Sequence, residues 1–231
     1  MNKWLRRKRN SHGYGVQSPN DFFFVQHVLR GQSPYYAYTA LHELYKIVKA
    51  DAVPLYREEI YRILFRLTDY VHPEAMIEVG SGAGLSICSM TMACPMHSCV
   101  AINAEDRQHS EVKRVCMLCP QIIDRVGDEV ALLGEELQER GKVEFLHIGH
   151  TLRYKEIVQI ALPYVCDKTL IVIDGIHENA EKRHWWKSLQ ESALTGVSYD
   201  LGTLGLLFFD HSRYKNAYWI NIKKKRLFRS I

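Results

Sequence analysis

The sequence has no apolar run approaching the roughly 18 to 20 residues that a membrane-spanning helix needs, so no segment is read as a bilayer crossing. It also has no internal repeat and no low-complexity tract, which excludes solenoids and repetitive arrays. Charge of neither sign dominates, since 30 Lys and Arg against 26 Asp and Glu leave a net charge of +4. Cysteines are few and scattered, and of the six only Cys116 and Cys119 stand at C-x-x-C spacing. With no second pair at finger spacing they read as packed thiols rather than a zinc site. The basic start from Lys3 to Arg9 runs into polar Asn10-Ser11-His12, so no secretory signal is expected and a reducing cytoplasm is.

What is present suits a globular chain of ordinary size: 231 residues, of which 47% are hydrophobic, are enough to fill a core. The positive residues gather at the two ends, in Arg6 to Arg9 and Lys223 to Arg226. Such clusters can grip phosphates, but Trp4, Trp219 and Phe228 adjoin them without the interleaving of a base-stacking platform. Solvated ends are therefore the favoured reading, and nucleic acid is not a favoured partner.

Residues 1–72 read as a helical extension. Ser18-Pro19-Asn20-Asp21 precedes an aromatic-rich stretch as a cap precedes a helix, and Gly31 to Pro34 ends it. A second helix is expected over 55–71, where Ile60, Ile63, Leu64, Leu67 and Val71 recur at helical spacing with Arg and Glu on the other face. The extension has too little apolar surface to stand alone and must be laid on residues 73–231. There the pattern becomes alternating strand and helix, with strands expected over 75–79, 98–102, 121–126, 143–148 and 169–173. Helices fit between them, over 85–92, 110–118, 129–140, 154–165 and 180–192. The rhythm predicts a doubly wound, mostly parallel α/β sheet. At its end, runs over 197–210 and 217–222 are joined by so short a connection that they are expected to pair antiparallel.

The most informative stretch is Glu78-Val79-Gly80-Ser81-Gly82-Ala83-Gly84, a buried strand passing through three alternating glycines into a helix. Glycine there permits positive φ and lets backbone N–H groups approach a ligand at a helix N-terminus. Leu85 stands where a dinucleotide fingerprint needs its third glycine, and no Lys-Ser/Thr pair makes a phosphate-binding loop.

Glu-x-Gly-x-Gly-x-Gly instead resembles the first motif of class I S-adenosylmethionine-dependent methyltransferases, and the antiparallel end of the sheet agrees with that fold. Asp174-Gly175-Ile176-His177 followed by Trp185-Trp186 is similar to O-methyltransferases related to catechol methyltransferase, and nearest to a bacterial group with Asp-Asp-Ile-His there. The opening His12-Gly13 to Ser18-Pro19 resembles the same group, with extra residues inserted. The resemblance implies S-adenosylmethionine as cofactor, held by Glu78, Gly80, Ser81, Gly82 and Gly84. An acidic ribose ligand is expected at the end of the second strand, where Asn103 stands, with Glu105 two residues beyond as a substitute.

Two further departures bear on chemistry. Gly149 and Gly175 stand where metal-dependent relatives place oxygen ligands, so no Mg²⁺ site is expected. A transition-metal set of His150, Asp174 and His177 is the weaker alternative. Ligand sites in open α/β sheets lie past the carboxyl ends of strands, which makes His150, Asp174 and His177 the candidate catalytic residues. A histidine there suits removal of a hydroxyl proton, and Asp174 suits orienting it. The leading reading is methyl transfer to oxygen of a small molecule without metal. A methyltransferase fold that has lost catalysis and an RNA methyltransferase are the alternatives, and the helical extension is a candidate homodimer contact.

Overall fold

The computed structural model describes residue 16 and residues 18–50, 55–104 and 119–222. The basic ends, the His12 opening, Glu105, the helix expected over 110–118 and Cys116 lie outside the described residues.

Ser18 caps the first helix, its side chain accepting from the Asp21 N–H, with Pro19 at a position where a missing donor costs nothing. This helix, α1 (Pro19–Phe23), runs on as a π-helix over Phe24–Leu29. The carbonyls at its end are satisfied by a buried arginine: Arg66 donates to Val28 O at 2.6 Å and to Leu29 O at 3.2 Å. Next come α2 (Ala37–Ala50) and α3 (Glu58–Val71), the second of which carries Arg66. α3 is the amphipathic helix expected over 55–71. α2 was not expected, although Leu41, Leu44, Tyr45 and Val48 carry the same spacing and all pack into the core.

From Met76 onward strands and helices alternate: β1 (Met76–Val79), α4 (Leu85–Ala93), β2 (Cys99–Asn103), β3 (Ile122–Val126), α5 (Glu129–Arg140), β4 (Val143–Ile148), α6 (Tyr154–Ala161), β5 (Val165–Asp174) and α7 (Ala180–Glu191). β6 (Val197–Asp200), β7 (Leu204–Phe208) and β8 (Asn216–Trp219) complete a sheet of order β3-β2-β1-β4-β5-β7-β6-β8. β7 is antiparallel to both neighbours, β5 and β6, and the other described pairs are parallel.

The end of the chain departs from expectation in one respect. The run over 197–210 folds on itself at Gly202 (φ +86°), so that β6 and β7 form the antiparallel pair. β8 does run opposite to β7, as its short connection requires, but it pairs with β6 and parallel to it.

Because side chains alternate across a strand, the sheet buries two layers. On one face Ile77, Val79, Ile102, Leu146 and Ile171 pack under α5, α6 and α7. On the other, Met76, Ala101, Phe145 and Val172 pack under α4 and the N-terminal helices. Asp21 fixes the first helix to the far end of the sheet. Its carboxylate accepts from Tyr199 at 2.8 Å and Tyr218 at 3.0 Å, and it is paired with Arg213. The N-terminal helices therefore cover the sheet face on which Glu78, His147 and Asp174 also lie.

Candidate active site

The sheet order reverses between β1 and β4, and this is where an open α/β sheet forms its ligand crevice. The glycine loop leaves β1 there. Gly80, Gly82 and Gly84 have φ of +79°, +56° and +80°, a region that side-chain-bearing residues rarely adopt. Gly80 is wedged between two strands: its N–H donates to Ile102 O of β2 at 2.8 Å, and its carbonyl accepts from the His150 N–H at 2.8 Å. A Cβ on Gly82 would lie 2.5 Å from His150 Cδ2, so the imidazole of His150 rests directly on the loop. Gly149 is forced as well, since a Cβ there would lie 2.5 Å from Gly80 O.

Asn103, at the end of β2, reaches back to the loop. Its Oδ1 accepts from the Ser81 N–H at 2.9 Å and its Nδ2 donates to Asp124 Oδ1 of β3 at 3.2 Å. Both ends of the amide are thus engaged within the protein. Glu78 Oε2 and Ser81 Oγ, by contrast, are buried with no hydrogen-bond partner among the described residues. Two orphaned polar atoms beside a loop of positive-φ glycines fit a polar ligand laid across the end of β1.

Behind the loop lies a buried charged row. Glu78 and His147 are register partners on adjacent strands, and Asp174 ends the next strand on the same face. His147 Nδ1 lies 2.6 Å from Glu78 Oε1, and His147 Nε2 lies 2.9 Å from Asp174 Oδ1. Burial alone would lower the affinity of this imidazole for its second proton, but the two carboxylates overcome it and push the pKa up to about 10. Tyr56, just before α3, donates its hydroxyl to Asp174, and burial with that carboxylate holds the phenol protonated. The Tyr56 ring also stacks on His150.

Of the expected site residues, His150 and Asp174 line one small cleft with Gly80, Ser81, Tyr56 and Tyr61. His177 is on the same edge of the sheet but faces elsewhere, with Nε2 2.8 Å from Asp200 Oδ2 at the end of β6. His150, Asp174 and His177 do not converge, and among the described residues no three His, Cys, Asp or Glu side chains are placed to hold a metal ion. His147 and Tyr56 were not foreseen. The first had a visible signal: a histidine inside the apolar run Phe145-Leu146-His147-Ile148 must find polar partners if the strand is buried. Tyr56 had none, because its contact with His150 spans elements whose packing no local pattern encodes.

A parallel sheet of this order, closed by an antiparallel β7 and opened by a glycine loop after β1, defines the class I S-adenosylmethionine-dependent methyltransferase fold, and this chain has it. No family model and no curated protein matches the sequence. Solved structures match throughout the fold. A protein described as a candidate O-methyltransferase from Klebsiella pneumoniae is 15% identical, with 80% of this chain and 95% of that one covered and a TM-score of 0.61. The O-methyltransferase of Bacillus cereus, solved with S-adenosylhomocysteine, is 13% identical over 79% of this chain and 96% of its own, with a TM-score of 0.59. An O-methyltransferase of tomaymycin synthesis from Streptomyces achromogenes, solved with S-adenosylmethionine, is 13% identical over 90% and 99%, with a TM-score of 0.56. Among the described residues no helix is long and apolar enough to cross a membrane.

Proposed function

We propose that this protein is an S-adenosylmethionine-dependent methyltransferase that transfers a methyl group to an oxygen of a small molecule without a metal ion. The observation that carries this reading is the row of positive-φ glycines Gly80, Gly82 and Gly84 at the β1–β4 switch point, with the orphaned Glu78 Oε2 and Ser81 Oγ beside it. Glu78, Ser81 and the loop amides would hold the cofactor, with Asn103 shaping the loop through Ser81 and Glu105 a candidate for the ribose. When bound, the cofactor supplies an electrophilic methyl carbon on a sulfonium; positioning and proton removal fall to the chain.

An acceptor hydroxyl in the cleft lies beside His150 and Asp174, which are the candidates to receive its proton as the oxygen attacks. Residues 73–231 form the transferase domain in this reading, and residues 1–72 the extension that roofs it. The setting is a cytoplasmic one, and the extension also offers a homodimer contact. A second reading, a methyltransferase fold kept for binding or regulation, is favoured by the His150 ring seated on Gly82 with Tyr56 stacked over it.

Titration calorimetry with S-adenosylmethionine and S-adenosylhomocysteine tests the proposal. Binding that disappears in Gly82→Val, with the circular dichroism unchanged, supports it; no binding by the parent protein hands the site to the second reading.

A further inference from the structure

We propose that His147 is the resident cation of this site: an imidazolium that donates one ring N–H to Glu78 and the other to Asp174, and so holds Asp174 at the cleft as a carboxylate. This makes it a positioning residue, and only its consequence for catalysis rests on the methyltransferase reading.

The argument begins with donors and acceptors. A neutral imidazole has one N–H and one lone pair, whereas a carboxylate only accepts. Both ring nitrogens of His147 face carboxyl oxygens, at 2.6 Å and 2.9 Å. In the neutral ring one of these contacts would set a lone pair against an oxygen, unless a carboxyl group took up the proton. With His147 1% exposed and Glu78 fully buried, bulk water is not at hand to relieve it. The imidazolium satisfies both contacts with charge-assisted bonds.

Charge balance points the same way. Glu78 from β1 and Asp174 from β5 approach the ring from opposite sides, and two buried carboxylates with nothing positive between them would force one to protonate. The other titratable groups packed on this row are His150, which lines the cleft with Asp174, and two phenols, Tyr56, before α3, and Tyr61, on α3. Burial raises both phenols, and nearby carboxylate charge raises them further, so neither supplies a competing charge.

His147 thus does, from within β4, what a divalent cation does when it draws two carboxylates together at a strand edge. Asp174 is fixed in direction, accepting from Tyr56 on its cleft side.

Nitrogen-detected NMR of the ¹⁵N-labelled full chain tests the inference directly, with the His147 signals assigned by their loss in His147→Gln. The expected result is a ring with both nitrogens protonated and no titration from about pH 6 to about pH 9, where an ordinary histidine has lost its proton above about 6.5. Should His147→Gln fail to fold, Glu78→Gln and Asp174→Asn each remove one acceptor's charge, and each should bring the titration of the same ring down into that range. A wild-type ring with one bare nitrogen, or a midpoint near 6.5, overturns the proposal. Cofactor calorimetry on the same samples separates the two readings. A protonated ring in a protein that binds no S-adenosylmethionine defeats the methyltransferase reading alone, and binding with a neutral ring defeats this one alone. In an active enzyme His147→Gln should also move the acid limb of the pH–rate profile upward, which loss of packing by itself would not do.

Discussion

The Tyr56 ring lies stacked on the His150 imidazole, with centroids 5.5 Å apart and planes 13° from parallel. The pair joins the N-terminal helices to the carboxyl edge of the sheet, because Tyr56 is also fixed at its backbone. Its N–H donates to the Tyr61 hydroxyl at 3.3 Å, and its carbonyl accepts from Tyr45 at 3.2 Å. Held at three points, the ring makes a roof over the cleft rather than a loose contact.

Removing only its hydroxyl therefore isolates the bond to Asp174. Tyr56→Phe keeps the stack and deletes a hydrogen bond to a charged group, which is worth roughly 1.5 to 3 kcal/mol. The expected outcome is a loss of that order in urea unfolding with the His150 ring resonances little changed. Tyr56→Ala should add a downfield shift of the His150 protons as the stacked ring is lost; unchanged His150 shifts in that variant would show that the two rings do not meet in solution.

Asn103 gives a prediction opposite to the one its place in the motif suggests. Read as a weakened ribose ligand, it should bind the cofactor better as aspartate. In the structure its Nδ2 donates to Asp124, so Asn103→Asp sets two carboxylates against each other at the end of β2. We expect the single substitution to lower the melting temperature, more at pH 7 than at about pH 4, where carboxylates begin to protonate. Asp124→Asn added to it should restore most of the loss by returning a donor to the pair. Additive effects of the two substitutions would show that the side chains are not coupled.

Much of this architecture was legible from pattern alone. The strands from β1 to β5 and the described helices between them follow from apolar runs bounded by caps and glycines, and the amphipathic stripe of α3 declared its own helix. The hairpin at Gly202 was not legible, because Val197 to Asp210 reads as one Leu- and Phe-rich run unless the αL turn at Gly202 is recognised. At the site, the glycine loop and Asp174 stood out because motif and strand end coincide there. His147 did not. A histidine in a buried strand gains meaning only from its lateral neighbours, and the register that sets it against Glu78 is a property of the sheet. His177 illustrates the converse, since a motif position at the right edge turned out to face Asp200.

The Asp21 cluster predicts how firmly the N-terminal helices are attached. Asp21 is 2% exposed and carries contacts from Tyr199, Tyr218 and Arg213, residues close to the other end of the chain. Burial, with Asp21 as the next cause, raises the Tyr199 phenol far above its ordinary range, so it remains a donor. Asp21→Ala leaves the half-buried Arg213 charge and two buried hydroxyls without their acceptor, and breaking a buried pair in this way costs about 3 to 5 kcal/mol. Urea unfolding should register that loss. A loss well below about 1 kcal/mol would mean that water enters to replace the carboxylate.

The last prediction concerns pH and follows from the sign of the His147 shift. Its pKa is raised in the folded protein to about 10, first against burial, which lowers it, and then by the carboxylates of Asp174 and Glu78, which prevail. Between the unfolded value of about 6.5 and that folded value, the native state holds a proton that the unfolded chain has released. Stability from this group is therefore fully present below about pH 6.5 and is lost as pH rises through the window, at no more than about 1.4 kcal/mol per pH unit. Lysines and tyrosines elsewhere also titrate at the alkaline end, so the quantity to measure is a difference. The unfolding free energy of wild type minus that of His147→Gln should be largest at about pH 6 and should shrink steadily toward pH 10. A glutamine can still donate to one carboxylate but brings no charge, so the shrinking part of the difference reports the proton alone. A difference that stays flat across the window would mean that His147 is neutral in the folded protein and that a protonated carboxyl group, not an imidazolium, joins Glu78 to Asp174.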